Sequence, residues 1–279
     1  MFAFLHFIIR IVKKHITKTY IRDIIYLTSY LLSKGGSFTM DMKQRRIWND
    51  NHKNLKEIIL NTEKHEQAIQ LFLSQHSLLY SSPLNQTKQV TLEDALIRDL
   101  DEATFRQYPV KNPDTKNSIA WHLWHIARVE DMTMNILVAD GRQVLESSNW
   151  KEKLNIPYVH SGNDMSEEDI TFLSSKINLE QLLDYRTTVG KQTQRIISSL
   201  NPGQFQMKVE ASRIKRLFDE NAVMQQSKWL AEYWSKKTIA GLVLMPATRH
   251  NFLHLNKCVR IKGRLLNKRS PYRKIISVF

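Results

Sequence analysis

The sequence predicts an all-α protein built as a helical bundle. Glycine and proline are scarce, 8 and 7 residues in 279, which disfavours a turn-dense sandwich or barrel. Leu and Ile recur at helical spacing among Glu, Lys and Gln over long stretches. Ser, Thr or Asn stands ahead of these stretches as helix-cap residues do. A hydrophobic content of 42% suffices for a packed core, the length allows one large or two ordinary domains, and no fixed-period repeat is evident.

Residues 1–39 differ from the rest of the chain. Two uncharged stretches, nine and ten residues long, fall short of the roughly 18 needed to span a bilayer, and no cleavage pattern marks a signal peptide. A basic amphipathic helix giving weak membrane-surface association is the remaining membrane reading. The alternative is a translated leader. Lys34-Gly35-Gly36 can be encoded by a purine-rich run resembling a bacterial ribosome-binding sequence, with Met40 as the true start. The expected organisation is thus an extension over 1–39, a single helical domain over 40–262 and a basic tail over 263–279.

Within the domain, residues 47–79 read as one long helix or two shorter ones, with His52, His65 and His76 as surface imidazoles on polar faces. A loop carries Pro83, and Thr91-Leu-Glu-Asp94 resembles a capping box opening a helix to about Leu100. After a loop with Pro109 and Pro113, Asn117 is expected to cap the strongest amphipathic helix, 118–139, closed by Asp140-Gly141. Its apolar seam runs Ser118, Trp121, His125, Val129, Met132, Ile136, while Arg128, Glu130 and Asp131 are expected to face solvent or cap neighbours. Residues 142–165 form a long connection with one short helical turn. Ser166 and Asn178 open helices reaching Lys176 and Leu200. Helical turns are expected over 213–218 and 227–234, with Trp229, Tyr233 and Trp234 in the core.

Thr238 caps the last helix. On it Ile239, Val243, Pro246, His250, Leu253 and Lys257 form a seam, with Ala240, Ala247, His254 and Ile261 alongside. Pro246 should bend the axis, and a basic tail should come after about Leu266.

Net charge is +14, a value that raises nucleic acid as a partner. Six Lys/Arg against one acid give residues 1–39 a net +5, and eight Lys/Arg without an acid give residues 257–279 a net +8. The 217 residues between them sum to +1. The charge therefore describes the ends rather than a basic groove, which argues against nucleic-acid binding. Cys258, the single cysteine, rules out an internal disulfide and is expected as a buried free thiol in a reducing, cytoplasmic compartment. The sequence permits a homodimer without specifying one.

The chemistry lies in the histidines. His250 and His254, four residues apart, bring two imidazoles to one face of a helix, and His125 occupies the apolar seam of another. Three unpaired imidazoles in a core would cost on the order of 1–3 kcal/mol each. A divalent metal satisfies all three and leaves a position open for water or substrate, as in a catalytic rather than a closed site. His122, one turn before His125 and about 60° round the same face, competes for the first position, and spacing does not choose between them.

The stretch Asn117-Ser-Ile-Ala-Trp-His-Leu-Trp-His-Ile-Ala-Arg-Val-Glu-Asp131, with Arg249-His-Asn-Phe-Leu-His254 far along the chain, resembles the DinB/YfiT-like superfamily of metal-binding four-helix bundles. The resemblance covers roughly residues 55–261. It implies a four-helix bundle with extra short helices between the second and third core helices and before the last. It also implies that the early ligand is His125 rather than His122, the late pair His250 and His254, and the metal zinc or nickel. Many members continue after the last ligand with Arg-Gly-Gln, where this chain has Leu255-Asn256-Lys257. The resemblance further implies a metal-dependent transferase or hydrolase that activates a low-molecular-weight thiol or water. A non-catalytic bundle acting as a regulatory or stress-related binding protein is the alternative. No general base is nominated, since helical geometry turns Glu130 and Asp131 away from His125 by more than 90°.

Overall fold

A computed structural model of the chain describes residues 42–82 and 90–269. The expectations for residues 1–39, the loop at Pro83 and the chain beyond 269 lie outside the described residues. Residues 47–79 form two helices, α1 (Met42–Ile58) and α2 (His65–Ser77), separated by a 3-10 turn, Thr62–Lys64, whose Glu63 amide is capped by the Asn61 side chain. Helix α3 (Leu92–Ile97) opens with the expected capping box between Thr91 and Asp94. It stops short of Leu100, and Asp101 caps a further helix, α4 (Glu102–Arg106).

The amphipathic segment is α5 (Ile119–Asp131), capped by the Ser118 side chain rather than by Asn117. It continues through a π turn, Met132–Val138, and ends where Asp140 takes a left-handed conformation at φ 51°. Short helices occupy the long connection: a 3-10 turn at Val144–Glu146, α6 (Trp150–Leu154) and α7 (Glu167–Lys176). Then comes α8 (Leu179–Ser198); Ser166 and Asn178 cap α7 and α8 as expected. Helices α9 (Ala211–Asp219) and α10 (Lys228–Ser235) precede the last one. That last helix starts behind Thr238 as α11 (Ile239–Leu244), passes through a second π turn, Met245–His250, and continues as α12 (Asn251–Arg269). The helix thus runs into the basic segment expected to be a tail.

The fold is an all-α bundle of four core helices: α2, α5, α8 and the α11–α12 unit. Helix α5 lies at the centre against α8 and α12, and α1 lies across α2 and α12. No β-strand occurs among the described residues, and no described helix is long and apolar enough to cross a membrane.

Because α5 is covered on every side, all of its residues are buried, including Arg128, Glu130 and Asp131, which were expected at the surface. A buried charge is tolerable only with partners. Asp131 receives the Arg128 guanidinium (2.8 Å), the Tyr185 hydroxyl (2.6 Å), the Asn135 amide and the backbone N–H groups of Val144 and Leu145. Glu130 meets His76 Nε2 at 2.8 Å and accepts from the Tyr80 hydroxyl (2.6 Å) and the Asn251 amide (2.7 Å). Burial pushes the Glu130 pKa up, but His76 above all, with the Tyr80 hydroxyl, outweighs it and holds the carboxylate below its ordinary value. His76 is therefore a core residue, and His65 is likewise buried, against the Leu200 carbonyl at 2.7 Å; neither is a surface imidazole. Trp234 is in the core as expected, whereas Trp229 and Tyr233 are about half exposed, at 48% and 41%. Cys258 is fully buried, and burial pushes its thiol up to about 12.

Candidate metal centre

The second π turn shapes the site. Proline cannot donate at position 246, and a π turn holds one more residue per turn than an α-helix, so later side chains are rotated from the straight-helix seam. Leu253, expected in the core, is 40% exposed, while Phe252, Leu255, Cys258 and Val259 point inward. His250, His254 and Lys257 are left on the flank between core and solvent, each partly exposed. Polar side chains satisfy the disturbed backbone. Thr248 shares its hydroxyl proton between the Val243 and Leu244 carbonyls, and Asn251 donates to the Pro246 carbonyl while also reaching Glu130. His52 from α1 lies 3.0 Å from the Leu244 carbonyl.

The structure brings His125, His250 and His254 together. One ring nitrogen of each lies within 4.8 Å of the others, and the ring centroids are 4.4–5.0 Å apart. His125 donates from Nδ1 to the Ser161 carbonyl at 2.6 Å, so its neutral ring presents a bare Nε2. That atom faces His250 Nε2 at 3.2 Å, while His250 Nδ1 is buried without a partner. The Trp121 ring stacks on His125, with centroids 4.5 Å apart and planes 11° from parallel.

His122 is close but differently placed. Its Nδ1 lies 2.9 Å from His254 Nδ1, and its Nε2 lies 3.1 Å from the Thr115 hydroxyl. If His122 donates from Nε2 to Thr115, its Nδ1 accepts from His254 Nδ1–H, and the Nε2 lone pair of His254 is free. His122 then acts through His254, as the outer partner of a metal-ligating histidine does.

All four rings favour the neutral form. Burial is the main cause, lowering His125 to about 4 against the opposing pull of the Ser161 carbonyl, and His122 to about 3. It drives His250 and His254 well below their ordinary value, aided by neighbouring imidazoles and Lys257. Neutral imidazoles with convergent nitrogens are the donor set that divalent zinc or nickel takes, so the residues fit such a cation.

Ser161 sits in the loop between α6 and α7, and Gly162 makes its position feasible. Gly162 has φ +82°, and a Cβ there would lie 2.3 Å from the Trp124 ring. No motif pointed to Ser161 or Thr115, because one acts through a backbone carbonyl and the other through a loop hydroxyl.

The flank carrying His250 and His254 opens into a cavity of about 490 Å³ between α1, α12 and the loop at Asp114. A helical bundle with three converging imidazoles, two of them lining an open cavity, defines a helical-bundle protein with a group that could hold a metal ion. The sequence profile of the DinB superfamily matches residues 87–256, more than half of the chain, including all three histidines. The chain belongs to the DinB superfamily. No curated protein matches it significantly.

Proposed function

We infer that this protein holds a divalent metal on His125, His250 and His254 and is a metal-dependent transferase or hydrolase acting on a thiol or on water. The observation that carries the reading is the convergence of three neutral imidazoles, two of which, His250 and His254, line a cavity. A bound divalent cation would lower the pKa of a thiol or water in the position the imidazoles leave open, supplying a nucleophile at neutral pH.

The protein's own contribution is orientation and shielding. The Ser161 carbonyl fixes the tautomer of His125, His122 with Thr115 fixes that of His254, and Trp121 covers one face of the His125 ring. Glu130 and Asp131 take no part in proton transfer in this reading, because both are fully engaged in buried networks. Binding Co(II) and adding 1-thioglycerol tests it. The expected result is a thiolate-to-cobalt absorption band that is lost in His250→Ala. A Co(II) spectrum indifferent to thiol would count against thiol activation.

A further inference from the structure

The cavity beside the three histidines has an unusual charge balance. Its walls carry Arg45, Arg249, Lys257 and Arg260, and among the described residues Asp114 is the lining carboxylate. Asp114 is engaged by Arg260 at 2.5 Å. The other three cations have no carboxylate partner among the described residues. Arg45 is held by the Asn256 amide oxygen at 2.5 Å, Arg249 donates to the Asn49 amide oxygen at 2.6 Å, and Lys257 reaches the backbone carbonyl of Asp114 at 3.4 Å. Arg249 also lies 5.8 and 5.6 Å from the Trp48 and Phe252 ring centres.

Amide and carbonyl partners position a cation without neutralising it. The contrast with the larger depression of about 600 Å³ elsewhere on the surface is direct. There Arg142, Lys151 and Arg216 face Asp140, Glu146 and Glu220, with Lys151–Glu146 at 2.9 Å and Arg216–Glu220 at 2.7 Å. That surface is balanced; the cavity at the histidines is not. Three neutral imidazoles also leave the full charge of a divalent cation uncompensated, and one thiolate or hydroxide would cancel half of it.

We propose that this cavity binds a substrate carrying at least two negative charges, carboxylate or phosphate, beside its reacting group, with Arg45, Arg249 and Lys257 as the anion-binding residues. The guanidinium forks suit planar carboxylates or phosphate oxygens, and Lys257 supplies a point charge on the same stripe as the histidines. As an account of substrate choice this rests on the metal reading above; the anion site itself does not.

Two probes keep the possibilities apart. Succinate binding to the metal-free full-length protein, measured by calorimetry at low salt, tests the cations alone, with neutral succinamide as the control. Succinate should bind and succinamide should not. The double substitution Arg249→Gln, Lys257→Gln should weaken succinate by about tenfold or more. Equal binding of the two compounds, no binding of either, or an unchanged affinity in a folded double variant would overturn the proposal. Mercaptosuccinate against 1-thioglycerol on the Co(II) protein tests the combination. A charge-dependent succinate site without a thiol band would leave the anion site standing and remove the thiol reading. A thiol band equally strong for both thiols, together with no charge-dependent succinate binding, would do the reverse. Inorganic phosphate competing with succinate better than a second dicarboxylate would identify phosphate as the preferred anion.

Discussion

Helix α5 carries two polar clusters that solve burial in opposite ways. Towards its C-terminal end Glu130 and Asp131 are fully buried, and donors from four other parts of the chain surround them. One to two turns earlier, His122 and His125 sit in a group of neutral rings, where two Nε2 atoms face each other and one buried nitrogen of His250 has no partner. The first cluster is closed on itself and holds helices together. The second is incomplete within the protein and lies beside a charged cavity. A polar cluster that the chain satisfies is architecture, and one that it leaves open is a candidate for ligand binding.

The largest expected effect is on the closed cluster. Asp131→Ala leaves Arg128 charged and buried without its carboxylate, and should cost about 3–5 kcal/mol in urea unfolding. Metal binding by the folded fraction should persist; loss of metal in folded protein would mean that the two clusters are not separable.

The loop between α6 and α7 joins them, since the Val159 carbonyl accepts from Arg128 and the Ser161 carbonyl from His125. Gly162→Ala, with its left-handed backbone and the Trp124 ring in the way, should cost about 3 kcal/mol. It should also weaken metal binding, unlike Asp131→Ala. A variant as stable as the parent would show that the loop does not need its close approach.

The open cluster should be acid-sensitive when free of metal. An unfolded His125 takes up a proton near pH 6.5, whereas the folded ring stays neutral down to about 4. Stability is therefore lost as pH falls through that window, by about 2 kcal/mol between pH 7 and pH 4.5 from His125 alone. Denaturant midpoints that are level or rise towards pH 4.5 would contradict a buried neutral ring. The smallest effect is for His122→Ala, which leaves the three proposed ligands in place and should lower metal affinity by at least about tenfold. An unchanged affinity would show that His122 does not orient His254.

Much of the scaffold was legible in the sequence because its signals are local. The caps at Thr91, Ser166, Asn178 and Thr238 depend on one side chain and the amide three residues on, and each forms as expected. The His250–His254 pair and the presence of a core-facing histidine on α5 were legible for a similar reason, since helical spacing fixes which side chains share a face. What failed depended on neighbours. Periodicity along α5 could not reveal that its polar side is also covered. The π turn at Met245–His250 was foreshadowed by Pro246 only as a bend, so the rotation that exposes Leu253 was missed. Spacing left His122 and His125 open and only the family resemblance pointed to His125; in the fold one ring joins the cluster while the other contacts His254 from behind. Arg45 and Arg249 joined the site unannounced, because only the packing of α1 on α12 brings them to one cavity.

The central claim is that the open cluster is a metal site. Its most direct test is the divalent-metal stoichiometry of the full-length protein, set beside His125→Ala, His250→Ala and His254→Ala with folding verified for each. The expected result is one zinc or nickel ion per chain in the parent and a large loss in each variant. A parent without stoichiometric metal that also takes up none on loading, or folded variants that retain the parent's metal, would contradict it.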